Sequence, residues 1–398
     1  MRMQAKADFP APVLISETAA LDALCRRLAE EKFVTVDTEF MRERTYYPEL
    51  CVVQLGGARD VAVIDALAPG LDLAPLGALL AKPDVTKVFH ACRQDVEIFL
   101  LKFGAVPVPI FDTQIAAMVA GFGDQVGYDT LVSSLAGGSI DKAHRFSDWQ
   151  ARPLSPSQIA YASADVTHLR VVYERLLERL DREGRIDWVG EEMAALADPA
   201  TYRVEPADAW RRLRPRVSSR RQLALIQAIA AWREREAARI NIPRQRLVKD
   251  EQIPELAAIA PTDAEGLMRA RGISRGFAEG RSGAALLAAI AAARALPESD
   301  LPELPRGREA AKPSPALVAL LKVLLAESAD RHNVAAKLIA SSEEIDQLAG
   351  EETPDLPCLS GWRVEVFGRD ALRLKRGEVA LAARGRRVEI INVSRITG

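Results

Sequence analysis

The sequence predicts a mixed α/β domain followed by two mostly helical domains. Three observations support this prediction. Short β-branched segments follow one another between residues 33 and 65, and strand-like segments then alternate with helical ones up to residue 111. From residue 222 to 295 the chain is rich in Ala, Leu and Ile with helical periodicity, and residues 316–350 are again helical. A proline-rich stretch at 296–315 divides this helical part in two.

The first three predicted strands are Val34–Thr38, Cys51–Leu55 and Val61–Asp65. Their connections are short, which indicates an antiparallel meander, because parallel neighbours need a longer crossover. Helices then alternate with two further strands, and this order predicts a mixed sheet with helices on both faces. These later elements are a helix at Leu71–Leu80, a strand at Lys87–His90, a helix at Gln94–Phe103, a strand at Pro107–Phe111 and a helix at Ser157–Asp181.

The second half of the chain is predicted to be helical. Residues 191–221 form an arginine-rich connector, and 222–295 form a small helical bundle broken by Pro243, Pro254 and Pro261. Residues 296–315 form a linker, and 316–398 form a second helical domain with a tail. The tail pattern fits both a helix, on Val364, Phe367, Ala371 and Leu374, and a hairpin around Gly385, with strands at 379–383 and 388–393.

The global composition is that of an ordinary globular protein. The 398 residues are 48% hydrophobic and 27% charged, with a formal net charge of −2, so nucleic-acid binding would have to come from local basic patches. The four cysteines have no C-x-x-C spacing, which argues against a zinc site and fits a reducing cytosol. No stretch resembles a secretory signal or reaches the ~20 apolar residues of a membrane helix. We therefore expect a cytoplasmic protein without membrane attachment.

Two acids end the first predicted strand. Asp37 and Glu39 are separated by one residue, so on a strand they point to the same face. Neighbouring carboxylates repel each other, and each has a raised pKa unless a cation lies between them. Hard ions such as Mg²⁺ or Mn²⁺ suit such a pair. The alternative is a pair of solvated carboxylates at a strand end.

Two further acids lie in suggestive places. Asp95 follows the Lys87–His90 strand in the first turn of a helix, where the helix dipole alone also favours an acid. Asp165 lies in an apolar stretch, and Tyr161 is four residues before it on the same helix face. As an isolated feature, Asp165 is better explained as a buried, hydrogen-bonded carboxylate than as a ligand.

Together the four acids indicate phosphoryl-transfer chemistry. Four converging carboxylates can hold two divalent ions that clamp the attacking and leaving oxygens of an in-line displacement. Tyr161 would then orient or help to deprotonate the attacking water.

The motifs around these acids resemble the ribonuclease D family of DEDD exonucleases, in the subgroup with a Tyr four residues before the last Asp. The similar segments are Val36–Phe40, Tyr46–Leu55, His90–Phe99, Ser147–Leu154 and Tyr161–Leu169. The resemblance implies a ribonuclease H-like fold and 3′→5′ removal of nucleotides as 5′-monophosphates. It also implies that Asp37, Glu39, Asp95 and Asp165 bind two divalent metal ions, Mg²⁺ or Mn²⁺, and that Tyr161 positions the water.

The resemblance extends along most of the chain. It implies an exonuclease domain at 11–190 and an HRDC-like domain (helicase and ribonuclease D C-terminal) at 222–295. Residues 316–398 form a second HRDC-like domain with a C-terminal tail, in which the resemblance extends to about Gly377 and the tail departs from the family pattern. RNA is the implied partner, with tRNA precursors as the family's typical substrate, and we expect a monomer. Since residues 1–187 hold every candidate catalytic group, we expect this fragment to fold and cleave by itself.

Four residues near the acids are candidate substrate contacts: Phe40, Met41, Gln54 and His90. Core packing is an equal explanation for Phe40. The arginines between Arg203 and Arg221 would either hold phosphates or form a solvated linker paired with nearby acids. Two other functions stay open from the residues alone. A proofreading-type DNA exonuclease would use the same four acids, whereas a non-catalytic nucleic-acid-binding scaffold would be expected to lack one of them.

Overall fold

The computed structural model describes residues 10–141, 143–144, 147–304, 313–352 and 354–393. The chain folds into two compact units. The first comprises the described residues of 1–39, 51–201 and 310–398, and the second those of 40–50 and 202–309. The proline-rich stretch at 296–315 is therefore described only in part, since 305–312 lie outside the described residues.

A six-stranded mixed sheet lies at the centre of the first unit, in the order β1-β4-β3-β2-β5-β6. Its strands are β1 (Val13–Ile15), β2 (Phe33–Met41), β3 (Glu49–Gly56), β4 (Val61–Asp65), β5 (Thr86–Phe89) and β6 (Ile110–Asp112). The β3 and β4 strands pair antiparallel, with Val53 opposite Ile64. The pairs β1–β4, β2–β5 and β5–β6 are parallel.

The mixed sheet and the β2-β3-β4 order confirm the predicted arrangement. The sixth strand begins at Ile110, later than the predicted Pro107, because Pro107 and Pro109 have no N–H to donate to a neighbouring strand. The short strand β1 and the helix at Thr18–Leu28 were not predicted. Only Ile15 of β1 is buried, so its pattern carries little signal.

Seven helices accompany the sheet: α1 (Thr18–Leu28), α2 (Ala74–Leu80), α3 (Arg93–Phe103), α4 (Thr113–Val119), α5 (Tyr128–Leu131), α6 (Pro156–Arg182) and α7 (Ile186–Ala197). The longest, α6, begins where its sequence predicts. The Ser155 hydroxyl accepts from the Gln158 N–H, the Gln158 side chain accepts from the Ser155 N–H, and Pro156 occupies the first helical position. A π-helical turn at Val132–Ala136 follows α5.

The C-terminal part of the first unit packs against α7. It contains α14 (Pro315–His332), α15 (Ala336–Ile339), α16 (Ser342–Gly350), α17 (Gly361–Arg363), α18 (Arg369–Lys375), and the hairpin β7 (Val379–Arg384) and β8 (Arg387–Asn392). The ring of Trp188 stacks on that of Trp362 with centroids 4.5 Å apart and planes 8° from parallel. Arg363 pairs with Glu192. Both alternatives for the tail are thus realised in succession, a helix and then a hairpin.

The second unit is a helical bundle made of α8 (Arg220–Ile240), α9 (Arg244–Leu247), α10 (Gln252–Ile259), α11 (Ala264–Met268), α12 (Arg275–Ala278) and α13 (Arg281–Arg294). Pro254 does not break it, because this proline lies in the first turn of α10, where no intrahelical N–H is needed. Part of the predicted connector is folded into this bundle. It forms a 3₁₀ helix at Pro206–Leu213, and Trp210 is buried in the core of the bundle.

The same bundle holds the loop between β2 and β3. The Tyr46 and Tyr47 N–H groups each donate to Asn241 Oδ1 at 3.1 Å. The Tyr46 hydroxyl donates to Glu234 Oε1 at 2.6 Å, and Arg244 pairs with the same carboxylate at 3.1 Å. Within the described part of the chain, none of the helices is long and apolar enough to span a bilayer.

Candidate active site

Three carboxyl groups meet between β2 and α6. Asp37 and Glu39 lie on β2 and Asp165 lies on α6, and one oxygen of each lies within 4.8 Å of the others. Asp165 is buried, whereas Asp37 and Glu39 are partly buried. The structure therefore brings together three of the four acids that the sequence singled out as metal ligands.

A buried hydrogen bond holds these two elements in register. Strand alternation places Thr35 on the same face of β2 as Asp37. The Thr35 hydroxyl donates to the Val166 carbonyl at 2.8 Å, and Val166 directly follows Asp165. The carboxyl groups of Asp37 and Asp165 are thereby fixed next to each other.

Burial and mutual repulsion raise the pKa values of this group. Burial and the neighbouring Asp165 charge raise the pKa of Asp37 well above its usual range. Burial raises the pKa of Glu39 to about 10, with further contributions from Asp37 and Asp165. Burial raises the pKa of Asp165 to about 7. All three groups cannot be ionised together near neutral pH unless a cation compensates their charge.

Asp95 is the fourth member of this group. It is buried in the first turn of α3 and accepts a hydrogen bond from the Thr38 hydroxyl. Burial and the charge of Asp37 raise its pKa, and the Thr38 hydrogen bond opposes that shift. We refer to Asp37, Glu39, Asp95 and Asp165 as the acidic cluster. Thr38 was not among the predicted site residues, although its place between two of the acids was a signal.

Asp112 holds the turn that leads into the helix of Asp95. Its buried carboxylate accepts from the N–H groups of Ala91 at 3.0 Å and Cys92 at 2.8 Å. It also caps α4 by accepting from the Gln114 N–H at 2.8 Å. Ala91 has a φ of 58°, in the left-handed region that is unfavourable for a residue with a Cβ. The Asp112 hydrogen bonds stabilise this turn and so set the start of α3.

Tyr161 lies one turn before Asp165 on α6. Its ring packs 6.1 Å from Trp149 and 6.2 Å from His144, measured between centroids. Arg152 fixes the backbone at Trp149, because it donates to the Trp149 carbonyl at 2.7 Å and pairs with Asp65 at 2.6 Å. The Ser147–Leu154 segment thus supports the tyrosine from outside the helix.

Tyr128 is a second tyrosine at the site, and it was not among the predicted site residues. Its hydroxyl donates to the Asp165 carbonyl at 2.6 Å, and burial together with the Asp165 charge raises its pKa. The His90 ring lies 5.3 Å from the Tyr128 ring, and His90 Nδ1 is 3.0 Å from Thr113 Oγ1. Burial lowers the pKa of His90, so its imidazole is neutral near pH 7.

The four candidate substrate contacts differ in exposure. Phe40 and Met41 end β2 directly after Glu39 and are partly exposed, as is His90 at the end of β5. Gln54, in contrast, has no exposed surface. A direct contact between Gln54 and a nucleotide is therefore not supported by the geometry.

The acidic cluster offers only carboxylate oxygens. This donor set suits hard divalent ions such as Mg²⁺ and Mn²⁺ rather than Zn²⁺, which prefers nitrogen and sulfur ligands. The raised pKa values show that the residues gain from a nearby positive charge. Such a site can stabilise charge on a phosphodiester and support its hydrolysis.

Comparisons with known proteins agree with this chemistry. Residues 12–181 match the family model for a 3′–5′ exonuclease, and residues 222–290 match the HRDC domain. The chain is 74% identical over 391 residues to the ribonuclease D of Acidiphilium cryptum (strain JF-5), covering 98% of this chain and 100% of that one. It is 67% identical over 392 residues to the ribonuclease D of Granulibacter bethesdensis, covering 98% and 99%.

A solved structure shows the same likeness. The crystal structure of Escherichia coli RNase D, described as an exoribonuclease involved in structured RNA processing, matches with a TM-score of 0.79 and 31% sequence identity. The match covers 92% of this chain and 99% of the E. coli chain.

Proposed function

The chain belongs to the ribonuclease D family and is a 3′→5′ exoribonuclease, and from this premise we propose that the acidic cluster is its catalytic centre and holds two divalent ions, Mg²⁺ or Mn²⁺. The observation that carries the proposal is the approach of Asp37, Glu39 and Asp165 to within 4.8 Å. When bound, the ions supply charge stabilisation for the attacking and leaving oxygens. The released products are nucleoside 5′-monophosphates.

Tyr161 orients the attacking water. Its hydroxyl belongs to the same helix face as Asp165, and its ring is held by Trp149 and the Arg152 hydrogen bonds. A phenol fixed in this way can accept a hydrogen bond from the water and hold it in position for attack. Tyr128 acts indirectly, because its hydroxyl donates to the backbone carbonyl of Asp165.

The terminal nucleotide binds beside β2 and β5. Phe40 and Met41 offer partly exposed apolar surface directly after Glu39, on which a base can stack. His90 is neutral near pH 7, so it contributes a hydrogen bond rather than a charge. We take tRNA precursors as the substrate, in keeping with the family and with the structured RNA processing described for the E. coli protein.

The parts of the chain outside the site serve RNA binding. We assign 11–190 to the exonuclease domain, 191–221 to the connector, and 222–295 and 316–398 to HRDC-like domains, with 296–315 between them. The enzyme acts as a monomer in the cytosol. Support for a reducing compartment comes from its four cysteines, which are all buried and form no disulfide bond.

A degradation assay with the purified full chain tests this function. The substrates are a 5′-labelled tRNA precursor, single-stranded RNA and single-stranded DNA, each with Mg²⁺, with Mn²⁺ and with EDTA. We expect a ladder of 3′-shortened RNA with either ion, and none with EDTA. Full activity in the chelated sample, or a preference for DNA, would contradict the proposal.

Single substitutions test the assignment of the acids. Asp37→Asn, Asp95→Asn and Asp165→Asn should each reduce hydrolysis by at least about 100-fold, because each removes charge from the ion site with little change in volume. Asp84→Asn, at an exposed position, is the matched control and should keep wild-type activity. A variant that retains more than about a tenth of wild-type activity at saturating Mg²⁺ would remove that acid from the site.

A further inference from the structure

Gln54 on β3 is a buried amide without a partner. Its side chain has no exposed surface, and neither Nε2 nor Oε1 has a hydrogen-bond partner among the described residues. An unsatisfied buried amide is costly, and native structures seldom keep one without a reason. An apolar side chain of the same size would fill this position at lower cost.

The strand geometry places Gln54 next to Asp37. The Thr35 hydroxyl on β2 lies 3.2 Å from the Gly56 carbonyl on β3. The two strands are neighbours joined by only seven residues, so they run antiparallel. Asp37 lies two residues after Thr35 on β2, and Gln54 lies two residues before Gly56 on β3. Both side chains therefore point to the same face of the sheet, on adjacent strands.

The residue directly opposite Gln54 on the other neighbouring strand is apolar. On β4 its partner is Val63, which is fully buried. Above the sheet lies α6, since a Cβ on Gly56 would be 3.1 Å from the Val166 carbonyl and 3.3 Å from the Val166 Cβ. Of the two residues directly opposite Gln54, Asp37 is therefore the polar one.

We infer that Gln54 is a positioning residue of the metal site, whose Nε2 donates a hydrogen bond to the Asp37 carboxylate when the acidic cluster holds its ions. This inference rests on the proposed function. A carboxyl group has several acceptor sites, so Asp37 can accept this hydrogen bond while it still faces the ion site. A carboxylate oriented in this way keeps its second oxygen directed at the ion, as ligand-supporting hydrogen bonds do in other metal sites.

The test replaces the amide by a side chain of similar size. In Gln54→Met we expect Mn²⁺ affinity, measured by electron paramagnetic resonance titration, to fall by about 10–100-fold. The melting temperature in EDTA should be unchanged or higher, because an unpaired buried amide is removed. Leu55→Met is the matched control, since it places the same side chain on the opposite face of β3 and should leave Mn²⁺ affinity unchanged.

Two outcomes would overturn the inference. One is wild-type Mn²⁺ affinity in Gln54→Met. The other is a lower melting temperature in EDTA with no loss of Mn²⁺ affinity, which would show that Gln54 only supports the core. If Gln54→Met does not fold, Gln54→Leu is subjected to the same two measurements.

Asp37→Asn separates this inference from the proposed function. If Asp37→Asn loses Mn²⁺ binding and Gln54→Met does not, the proposed metal site is supported and the proposed role of Gln54 is wrong. If Asp37→Asn binds Mn²⁺ like the wild type, the proposed site itself is wrong, and the role of Gln54 falls with it.

Discussion

Tyr161 and Tyr128 show how two chemically equal side chains near one acid differ in what they can do. The Tyr128 hydroxyl donates a hydrogen bond to the Asp165 carbonyl at 2.6 Å, so it stabilises the backbone of α6. The Tyr161 ring is held by Trp149 at 6.1 Å, and it lies on the helix face that carries Asp165. The two tyrosines should therefore respond differently to the loss of the hydroxyl group.

Tyr161→Phe should reduce the single-turnover rate by about 100-fold, within the range of general acid–base effects, while Mn²⁺ affinity and stability stay unchanged. Tyr128→Phe should instead lower the free energy of unfolding by about 1 kcal/mol, because a buried carbonyl loses its donor. Quench-flow with a short RNA and urea unfolding measure the two quantities. A large loss of metal affinity in Tyr161→Phe would mean that this hydroxyl supports the site structurally.

The raised pKa values of the acidic cluster predict how stability depends on pH. A carboxyl whose pKa is raised by folding binds its proton more tightly in the folded state. Its contribution to the free energy of unfolding is fully present below the pKa of the group in the unfolded state. This contribution is lost as pH rises through the pKa of the group in the folded state. For Glu39 this window runs from 4.5 to about 10, and for Asp165 from 3.8 to about 7.

In EDTA, the free energy of unfolding should therefore fall by roughly 1–3 kcal/mol between pH 6 and pH 8. Saturating Mg²⁺ should offset most of this loss, because the ions stabilise the ionised carboxylates. Urea unfolding at both pH values, with and without Mg²⁺, measures the effect. Glu39→Gln serves as the control, and in EDTA its free energy of unfolding should depend less on pH than that of the wild type. An equally steep pH dependence in this variant would contradict the assignment of the effect to the acidic cluster.

The sequence was most informative for residues whose roles follow from spacing. Asp37 and Glu39 are two apart on a strand, and Tyr161 and Asp165 are four apart on a helix, so their shared faces could be predicted. Thr38, Asp112 and Tyr128 act through hydrogen bonds to groups distant in sequence. No periodicity marks such contacts, so they became visible only in the folded chain.

At the scale of the elements, the strand ends were harder to predict than the strands themselves. The β2 strand extends to Met41, three residues beyond its β-branched run, because its end is paired within the sheet rather than set by propensity. The α3 helix begins at Arg93, after the turn that Asp112 holds. Tertiary hydrogen bonds therefore decide where the site's elements begin and end.

Asp112→Ala should both destabilise the protein and slow hydrolysis. Three backbone N–H groups would lose their acceptor, which should cost roughly 2–4 kcal/mol of unfolding free energy. Asp95 lies three residues beyond Cys92, so the loosened turn should displace it and lower kcat. Urea unfolding and a steady-state assay measure the two effects.

Asp72→Ala is the control for this prediction. The Asp72 carboxylate also accepts from a backbone N–H, that of Ala74 at 2.9 Å, but at an exposed turn before α2. This variant should lose about 1 kcal/mol of stability and no activity. Unchanged kcat in Asp112→Ala under conditions where the protein is folded would show that the turn does not position Asp95.

At the scale of the whole molecule, the arginine-rich connector divides into two kinds of residue. Arg220 donates to the carbonyls of Leu301 and Pro302, and Arg221 to those of Arg294 and Leu296, so these two arginines fix the chain after α13. Between residues 211 and 216, four others are exposed: Arg211, Arg212, Arg214 and Arg216. The exposed group is the candidate phosphate-binding surface.

Replacing these four arginines by Ala should flatten the dependence of RNA affinity on salt. Each phosphate contact releases counterions, so the slope of log affinity against log salt should decrease by up to about 3. The measurement is binding of a tRNA precursor across a salt series in an inactive Asp37→Asn background. The single-turnover rate of the otherwise active variant at saturating RNA should be unchanged.

The matched control removes the same charge elsewhere. Arg26, Arg175, Arg331 and Arg369 are exposed residues that pair with acids three or four residues away in the chain. Their replacement by Ala should leave the slope close to that of the wild type. Equal slopes in both quadruple variants would mean that the connector does not bind phosphates.

The compact units do not follow the order of the sequence. The sequence suggested that 1–187 would fold and cleave alone, but that fragment ends two residues into α7 and lacks Asn241 and Glu234, which hold the loop after β2. We now expect it to be less stable than the full chain. Hydrophobic periodicity identifies each helix but not which unit it joins, since that depends on contacts between segments more than 100 residues apart.

The stacked pair of Trp188 and Trp362 gives the first unit a built-in optical signal. Two indoles 4.5 Å apart and nearly parallel couple their electronic transitions. Separating the C-terminal helices from α7 would uncouple these transitions, with a change in ultraviolet circular dichroism and in fluorescence. The attachment of that segment can therefore be followed in the unlabelled protein, during unfolding or RNA binding, at the wavelengths of its own tryptophans.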